Sequence, residues 1–148
     1  MVLRVCLKIL LKGNRILNKL SSWIDNFDDN LFALISDMTE TMYKAKGVGL
    51  SAVQVGVLKT VIVIDIGDGI IELVNPVIVD AIGERRSEEG CLSCPGEYGV
   101  ILRPDYVKVE ALNRFGKKFR IEGSGLLASV LCHEIDHING ILFESRFI

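Results

Sequence analysis

The stretch SGLLASVLCHEIDHING, residues 124–140, decides both the fold and the chemistry expected of this chain. Its apolar residues recur at helical spacing and Asn-Gly closes it, so the sequence predicts a helix that begins near Ser124. That helix carries His133 and His137, the only two histidines among 148 residues. The apolar residues around them favour a helix buried at the centre of the domain.

The two histidines form the pattern His-Glu-Ile-Asp-His, which is typical of a metal site. Residues four apart lie on one face of a helix, separated by roughly 6 Å of rise, so both imidazoles can bind one ion. Glu134 follows the first histidine and can take a proton from water at such a site. The alternative, a helix with a polar solvent face, conflicts with the apolar neighbours.

A catalytic metal site usually has three protein ligands, so one ligand is missing from this helix. Proteases with a longer motif place a third histidine six residues after the second, but Phe143 occupies that position and excludes this class. We therefore expect the third ligand to come from upstream. The segment SEEGCLSCPGEYG, residues 87–99, offers Cys91 and Cys94.

The paired cysteines leave two alternatives open. Together with the histidines they could form a closed structural zinc site, although 38 residues lie between Cys94 and His133 where compact zinc fingers use roughly 12 to 15. A closed site would also leave Glu134 without a role. A redox Cys-x-x-Cys is the other alternative, but this motif does not open a helix within a βαβ unit.

The rest of the chain predicts a single α+β domain over residues 1–148, with mainly antiparallel strands packed around the central helix. An amphipathic helix is expected at about residues 28 to 45. Strands are expected in TVIVIDI (60–66), IIELVNP (70–76), PVIVDAI (76–82), YVKVEAL (106–112), KKFRIEG (117–123) and, as an edge strand, ILFESRFI (141–148).

Charge and hydropathy exclude several classes of function. Lys and Arg total 17 against 19 Asp and Glu, so no basic surplus indicates direct recognition of nucleic acid. No apolar stretch reaches the roughly 20 residues of a membrane span, and we expect a cytoplasmic protein. Gly47-x-Gly49-x-x-Ala52 resembles a dinucleotide fingerprint, but it follows a helix instead of a strand, which excludes that interpretation.

Three segments together resemble the peptide deformylases: GVGLSAVQ (47–54), EGCLS (89–93) and HEIDH (133–137). They occur in that family's order and at similar spacing. The resemblance implies a compact α+β domain and an enzyme that removes the N-formyl group from the initiator methionine of nascent polypeptides, releasing formate. It also implies an N-formyl-methionyl peptide as substrate, the ribosome near the nascent-chain exit as a partner, and a monomer.

The resemblance assigns roles by position. One divalent metal ion is expected on Cys91, His133 and His137, ferrous iron in the cell, with zinc, nickel and cobalt as other metals that such ligands accept. Glu134 is assigned to proton transfer. The remaining assignments are Gln54 and the Leu92 amide to the oxyanion, Val48 and Gly49 to backbone pairing with the peptide, and Arg103 to steadying Glu89.

Helical spacing suggests that Leu126, Ser129 and Val130 form one wall of an apolar pocket for methionine, the alternative being that they are simply core. The chain departs from the family pattern at Cys94, where an aliphatic residue is usual, and at Cys132, where glutamine is common. Two other functions stay open on the sequence alone. One is a metallopeptidase or other amide hydrolase, and the other is a non-catalytic zinc-stabilised binding module.

Overall fold

Two long helices and seven strands follow one another in the computed structural model, which describes residues 5–148. The helices are α1 (Asp29–Lys44) and α2 (Leu126–Ile138). The strands are β1 (Gly49–Ser51), β2 (Val61–Ile64), β3 (Ile71–Ile82), β4 (Arg85–Cys91), β5 (Cys94–Arg103), β6 (Tyr106–Leu112) and β7 (Lys118–Ser124). Single 3-10 turns lie at Arg15–Asn18, Ala52–Val55 and Phe143–Arg146.

The strands form two antiparallel sheets, and the predicted α+β class is confirmed. Five strands pair in the order β1-β2-β3-β6-β7, while β4 and β5 form a separate hairpin. The hairpin predicted from residues 106–112 and 117–123 is β6–β7. No helix of the described residues is long and apolar enough to cross a bilayer.

Helix α2 is the centre of the fold because almost none of its surface reaches solvent. All residues from Ala128 to Ile138 are buried. Their apolar side chains pack on the large sheet in one cluster, which includes Ile62, Ile64, Leu73, Val107, Val109, Leu131 and Ile135. Each such aliphatic side chain contributes roughly 1.5–3 kcal/mol when fully buried.

Strand β2 is apolar on every residue because helices cover both of its faces. Ile62 and Ile64 pack against α2, whereas Val61 and Val63 belong to a second cluster with α1. Side chains alternate across a strand, so one VIVI run supplies both cores. Helix α1 begins as predicted, with the Asp28 carboxylate accepting from the Leu31 amide at 3.2 Å.

Two predicted elements differ from the sequence expectations. The segments 70–76 and 76–82 form one strand, because a register shift between Val74 and Val77 accommodates the proline that cannot donate to the ladder. The predicted edge strand at 141–148 is wrong. Residues Phe143–Arg146 form a 3-10 turn, since Phe143 is buried and the Arg146 side chain turns back to Asp136.

The hairpin of β4 and β5 was not expected from the sequence, because its residues do not alternate clearly between apolar and polar. Its two-residue turn is Leu92-Ser93, so Cys91 and Cys94 lie directly opposite each other where the strands meet. The cysteine pair therefore occupies the tip of a hairpin, where Cys91 faces the histidines of α2.

Candidate metal centre

Three side chains from two elements bring their donor atoms together between α2 and the β4–β5 hairpin. The Nε2 atoms of His133 and His137 are 3.3 Å apart, and the Cys91 Sγ atom lies 3.3 Å from His137 Nε2. All three donor atoms lie within 4.8 Å of one another. The helix supplies the histidines from consecutive turns, and the end of β4 supplies the cysteine.

The chemistry of this donor set fits a divalent transition metal. A thiolate with two imidazoles suits zinc, iron, nickel or cobalt. Burial lowers the pKa of His137 to about 3, and the positive charge of Arg103 adds to this effect. A set of three protein donors is typical of catalytic metal sites, which keep a further position for water or substrate.

Glu89 fixes the orientation of the first histidine. One of its oxygens lies 2.9 Å from His133 Nδ1, which directs Nε2 towards Cys91. Arg103 donates to both Glu89 oxygens at 2.8 and 2.9 Å and to Asp136 at 2.8 Å. Burial alone would raise the pKa of Glu89, but the hydrogen bonds from Arg103 and His133 outweigh it and lower this pKa to about 2. The carboxylate therefore stays charged.

Glu134 lies beside the donor atoms but is not one of the three. It is buried, and the Ser51 hydroxyl lies 3.0 Å from its side-chain Oε1 atom and 2.8 Å from its backbone carbonyl, so the single hydroxyl hydrogen is shared between these two acceptors. Burial raises the pKa of the Glu134 carboxyl, against the opposing effects of His133 and Ser51. Gly49 packs closely against the other oxygen of this carboxylate, because a Cβ atom at position 49 would lie only 2.7 Å from Glu134 Oε2.

Gln54 is held by both ends of its side-chain amide. Its Oε1 atom accepts from the Ser51 amide at 2.9 Å, and its Nε2 atom donates to the Ser93 hydroxyl at 3.0 Å. The same nitrogen lies 3.7 Å from Cys91 Sγ, so the amide points at the donor cluster. Leu92 occupies the hairpin turn directly after Cys91.

Cys94 is not part of the donor cluster. It is buried in a small apolar group with Ile101 and Phe143. Burial raises the pKa of its thiol to about 12, and the neighbouring Cys91 adds to this effect. The geometry therefore argues against the closed site with two cysteines and two histidines. All four cysteines are free thiols.

A cavity of about 580 Å³ opens onto this centre. Its lining includes Cys91, His133 and Glu134 together with the sequence-predicted residues Val48, Gly49, Gln54, Leu92, Leu126, Ser129 and Val130. Leu126 is 58% exposed and Val48 is 45% exposed, whereas Ser129 and Val130 are buried. The suggestion that Leu126 is simply a core residue is therefore wrong.

Sequence reasoning missed three residues that support the site: Ser51, Ser87 and Asp136. Ser51 holds Glu134, Ser87 contacts Ser129 at 2.8 Å, and Asp136 accepts from Arg103 and Arg146. Asp136 could have been found, because a carboxylate inside an apolar helix is rarely buried without a partner.

Comparisons with known proteins agree with this architecture. The family model described as polypeptide deformylase matches residues 6–148. The peptide deformylase of Acetivibrio thermocellus is 57% identical over 136 residues, covering 92% of this chain and 80% of the relative. That of Alkaliphilus metalliredigens is 55% identical over 133 residues, 90% of each chain.

Two solved structures are similar throughout the fold. The crystal structure of a peptide deformylase from Legionella pneumophila has a TM-score of 0.95 and 48% identity, over 97% of this chain and 87% of that one. The enzyme from Synechococcus elongatus, in complex with actinonin, has a TM-score of 0.93 and 36% identity, over 100% and 88% of the two chains. The likeness therefore extends from the sequence to the arrangement of the whole domain.

Proposed function

The chain belongs to the polypeptide deformylase family, and from this premise we propose how its residues remove the formyl group from formyl-methionyl peptides. The observation that carries the proposal is the cavity onto which a three-donor cluster and a buried carboxylate both open. We propose Cys91, His133 and His137 as the ligands of one divalent metal ion. Bound there, the metal supplies Lewis acidity, which activates water and polarises a carbonyl.

Glu134 is the proton carrier in this proposal. Its side chain lies next to the ligands without joining them, and the Ser51 hydroxyl holds one of its oxygens. The carboxylate accepts the proton that water loses when it attacks the formyl carbon. It then delivers this proton to the leaving amine, so that formate and a free N-terminus result.

Gln54 and the Leu92 amide stabilise the oxyanion that develops on the formyl oxygen. The Gln54 amide is fixed by Ser51 and Ser93, so it is oriented before substrate binds. One N–H of this amide donates to Ser93 and the other is directed at Cys91 Sγ, at 3.7 Å, so the second N–H lies at the donor cluster, where the oxyanion develops. One such donor typically contributes about 2.7–4 kcal/mol to stabilising the transition state.

The peptide binds along β1. In the part of the chain that the structure describes, this strand is at one end of the five-stranded sheet, next to β2, and its residue Gly49 lines the cavity with Val48. An extended peptide can pair with the open edge of such a strand. Leu126, Ser129 and Val130 then form a wall for the methionine side chain. Glu89 and Arg103 have a structural role, because they hold His133.

We further propose that residues 1–148 act as one catalytic domain, monomeric and cytoplasmic, working near the ribosomal exit on nascent chains. Ferrous iron is the metal we propose in the cell, with zinc, nickel or cobalt able to replace it on the same ligands. Metal analysis of protein purified without oxygen tests the iron assignment, and light scattering tests the monomer.

The experiment that tests the function measures formate release from a formyl-Met-Ala-Ser peptide under anaerobic conditions. We expect formate and free Met-Ala-Ser, with no cleavage of the peptide bonds. Glu134→Gln should reduce the rate by orders of magnitude, whereas the exposed Glu84→Gln serves as a matched control and should not. Cleavage of a peptide bond in place of formate release would instead identify a metallopeptidase.

A further inference from the structure

The strand β4 faces α2 with polar side chains at alternate positions. Glu89 contacts His133, and two residues earlier Ser87 contacts the Ser129 hydroxyl at 2.8 Å. Arg85, two residues earlier again, donates to the Ser129 hydroxyl. Residues two apart on β4 thus meet residues four apart on α2. The hydroxyl pair therefore lies one helical turn, roughly 6 Å, from the metal centre.

The hydroxyls of Ser87 and Ser129 have more hydrogens to donate than acceptors around them. Arg85 can only donate, so the Ser129 oxygen accepts from it. The hydroxyls of Ser87 and Ser129 share one hydrogen bond, which uses one of their two hydrogens. Neither hydroxyl has another hydrogen-bond partner, side chain or backbone, among residues 5–148, so one hydrogen is left to donate. Both serines are buried and line the cavity.

We propose that the Ser87–Ser129 hydroxyl pair recognises the sulfur of the substrate methionine and discriminates against norleucine, its isostere without sulfur. The inference rests on the proposed function and names the atom that the pocket wall recognises. A thioether sulfur is a weak acceptor, and it lies only a few bonds from the formyl group. The guanidinium of Arg85 strengthens the donor, because a charged group polarises a chain of hydrogen bonds.

Norleucine offers a methylene group where methionine has sulfur. When it binds, the free hydroxyl hydrogen loses contact with water and gains no acceptor. A site built to donate a hydrogen bond rejects an analogue that lacks the acceptor, whereas a purely apolar pocket barely separates the two side chains. The discrimination should therefore depend on the hydroxyls and not on the apolar lining.

The test compares kcat/KM for formyl-Met-Ala-Ser and formyl-Nle-Ala-Ser. The unmodified protein should prefer methionine about 3-fold, a typical effect of one neutral hydrogen bond. Ser87→Ala and Ser129→Ala should each stay near this ratio, because either hydroxyl alone can donate. The double variant should lose the preference, with a ratio of about 1. Leu126→Ala is the matched control, since it should weaken both peptides equally.

The outcomes separate this inference from the proposed function. Equal use of both peptides by the unmodified protein would overturn the inference alone, as would a double variant that keeps the preference. Release of formate from neither peptide would overturn the proposed function and the inference with it. A melting curve of the double variant checks its fold, and if it does not fold, the ratio of the unmodified protein decides.

Discussion

The two sheets contact α2 in opposite ways. The five-stranded sheet meets it mainly through aliphatic side chains such as Ile62, Leu73 and Val109, and its polar contact is that of Ser51 with Glu134 at the edge strand β1. The hairpin of β4 and β5 instead meets α2 through Glu89, Arg103 and the serine pair. Apolar burial stabilises without fixing direction, but hydrogen bonds fix the angle of each group. The metal centre lies on the polar side, where the orientation of His133 matters.

The largest effect is expected when the polar contact between the β4–β5 hairpin and α2 is broken. Arg103→Met leaves Glu89 and Asp136 buried without their shared partner, which should lower the free energy of unfolding by about 3–5 kcal/mol. Metal affinity should also fall by roughly 10- to 100-fold, because His133 loses its fixed orientation. Urea unfolding and metal titration measure the two effects.

The matched control for this comparison lies on the apolar side. Leu131→Ala should lower the free energy of unfolding by about 2–5 kcal/mol through a cavity, but leave metal affinity unchanged. If both variants lose metal affinity to the same degree, the distinction between the two contacts does not hold.

Gln54→Leu comes next in size. The amide that points at the donor cluster is removed while the fold and metal stay, so kcat should fall by about 10²- to 10³-fold. Steady-state kinetics at matched metal content measure this loss. A change confined to KM would show that Gln54 binds the substrate without favouring the transition state.

Gly49→Ala tests how tightly the carboxylate is enclosed. The added Cβ would lie 2.7 Å from Glu134 Oε2 and 3.0 Å from Val130 Cγ1, so Glu134 must move. We expect kcat to fall by about 10- to 100-fold with full metal content, since a displacement near 1 Å is costly in catalysis. Unchanged kcat would show that Glu134 tolerates displacement.

Cys94→Val should have the smallest effect. It replaces one small buried apolar side chain by another beside Ile101 and Phe143, so the free energy of unfolding should change by less than about 1.5 kcal/mol. Thermal melting and metal analysis measure the outcome. Loss of metal from this variant would revive the closed four-ligand site.

The sequence predicted those parts of the fold whose buried apolar residues recur at regular spacing. Both helices and the β6–β7 hairpin follow from spacing, because their buried faces repeat within a few residues. The β4–β5 hairpin was missed, since it docks through polar partners far away in sequence. Arg103 and Asp136 are 33 positions apart, and no local pattern reveals such a pair.

The same limit applies to the candidate site. The three metal ligands were predicted from two motifs and a resemblance, and their roles stay predictions to be tested. Ser51 lies 83 positions from Glu134, so its hydrogen bond to that carboxylate could be found only in three dimensions. Of the two serines that face the cavity, the sequence predicted Ser129 as part of the pocket wall but did not predict Ser87.

Metal content per chain, measured on the same preparations as formate release, tests the central claim most directly. Cys91→Ser should lose the metal, because a hydroxyl is a poor substitute for a thiolate. Glu134→Gln should keep about one ion per chain and yet release almost no formate, since it removes the proton carrier and no ligand. A Glu134→Gln protein without metal, or a Cys91→Ser protein with a full complement, would contradict the account.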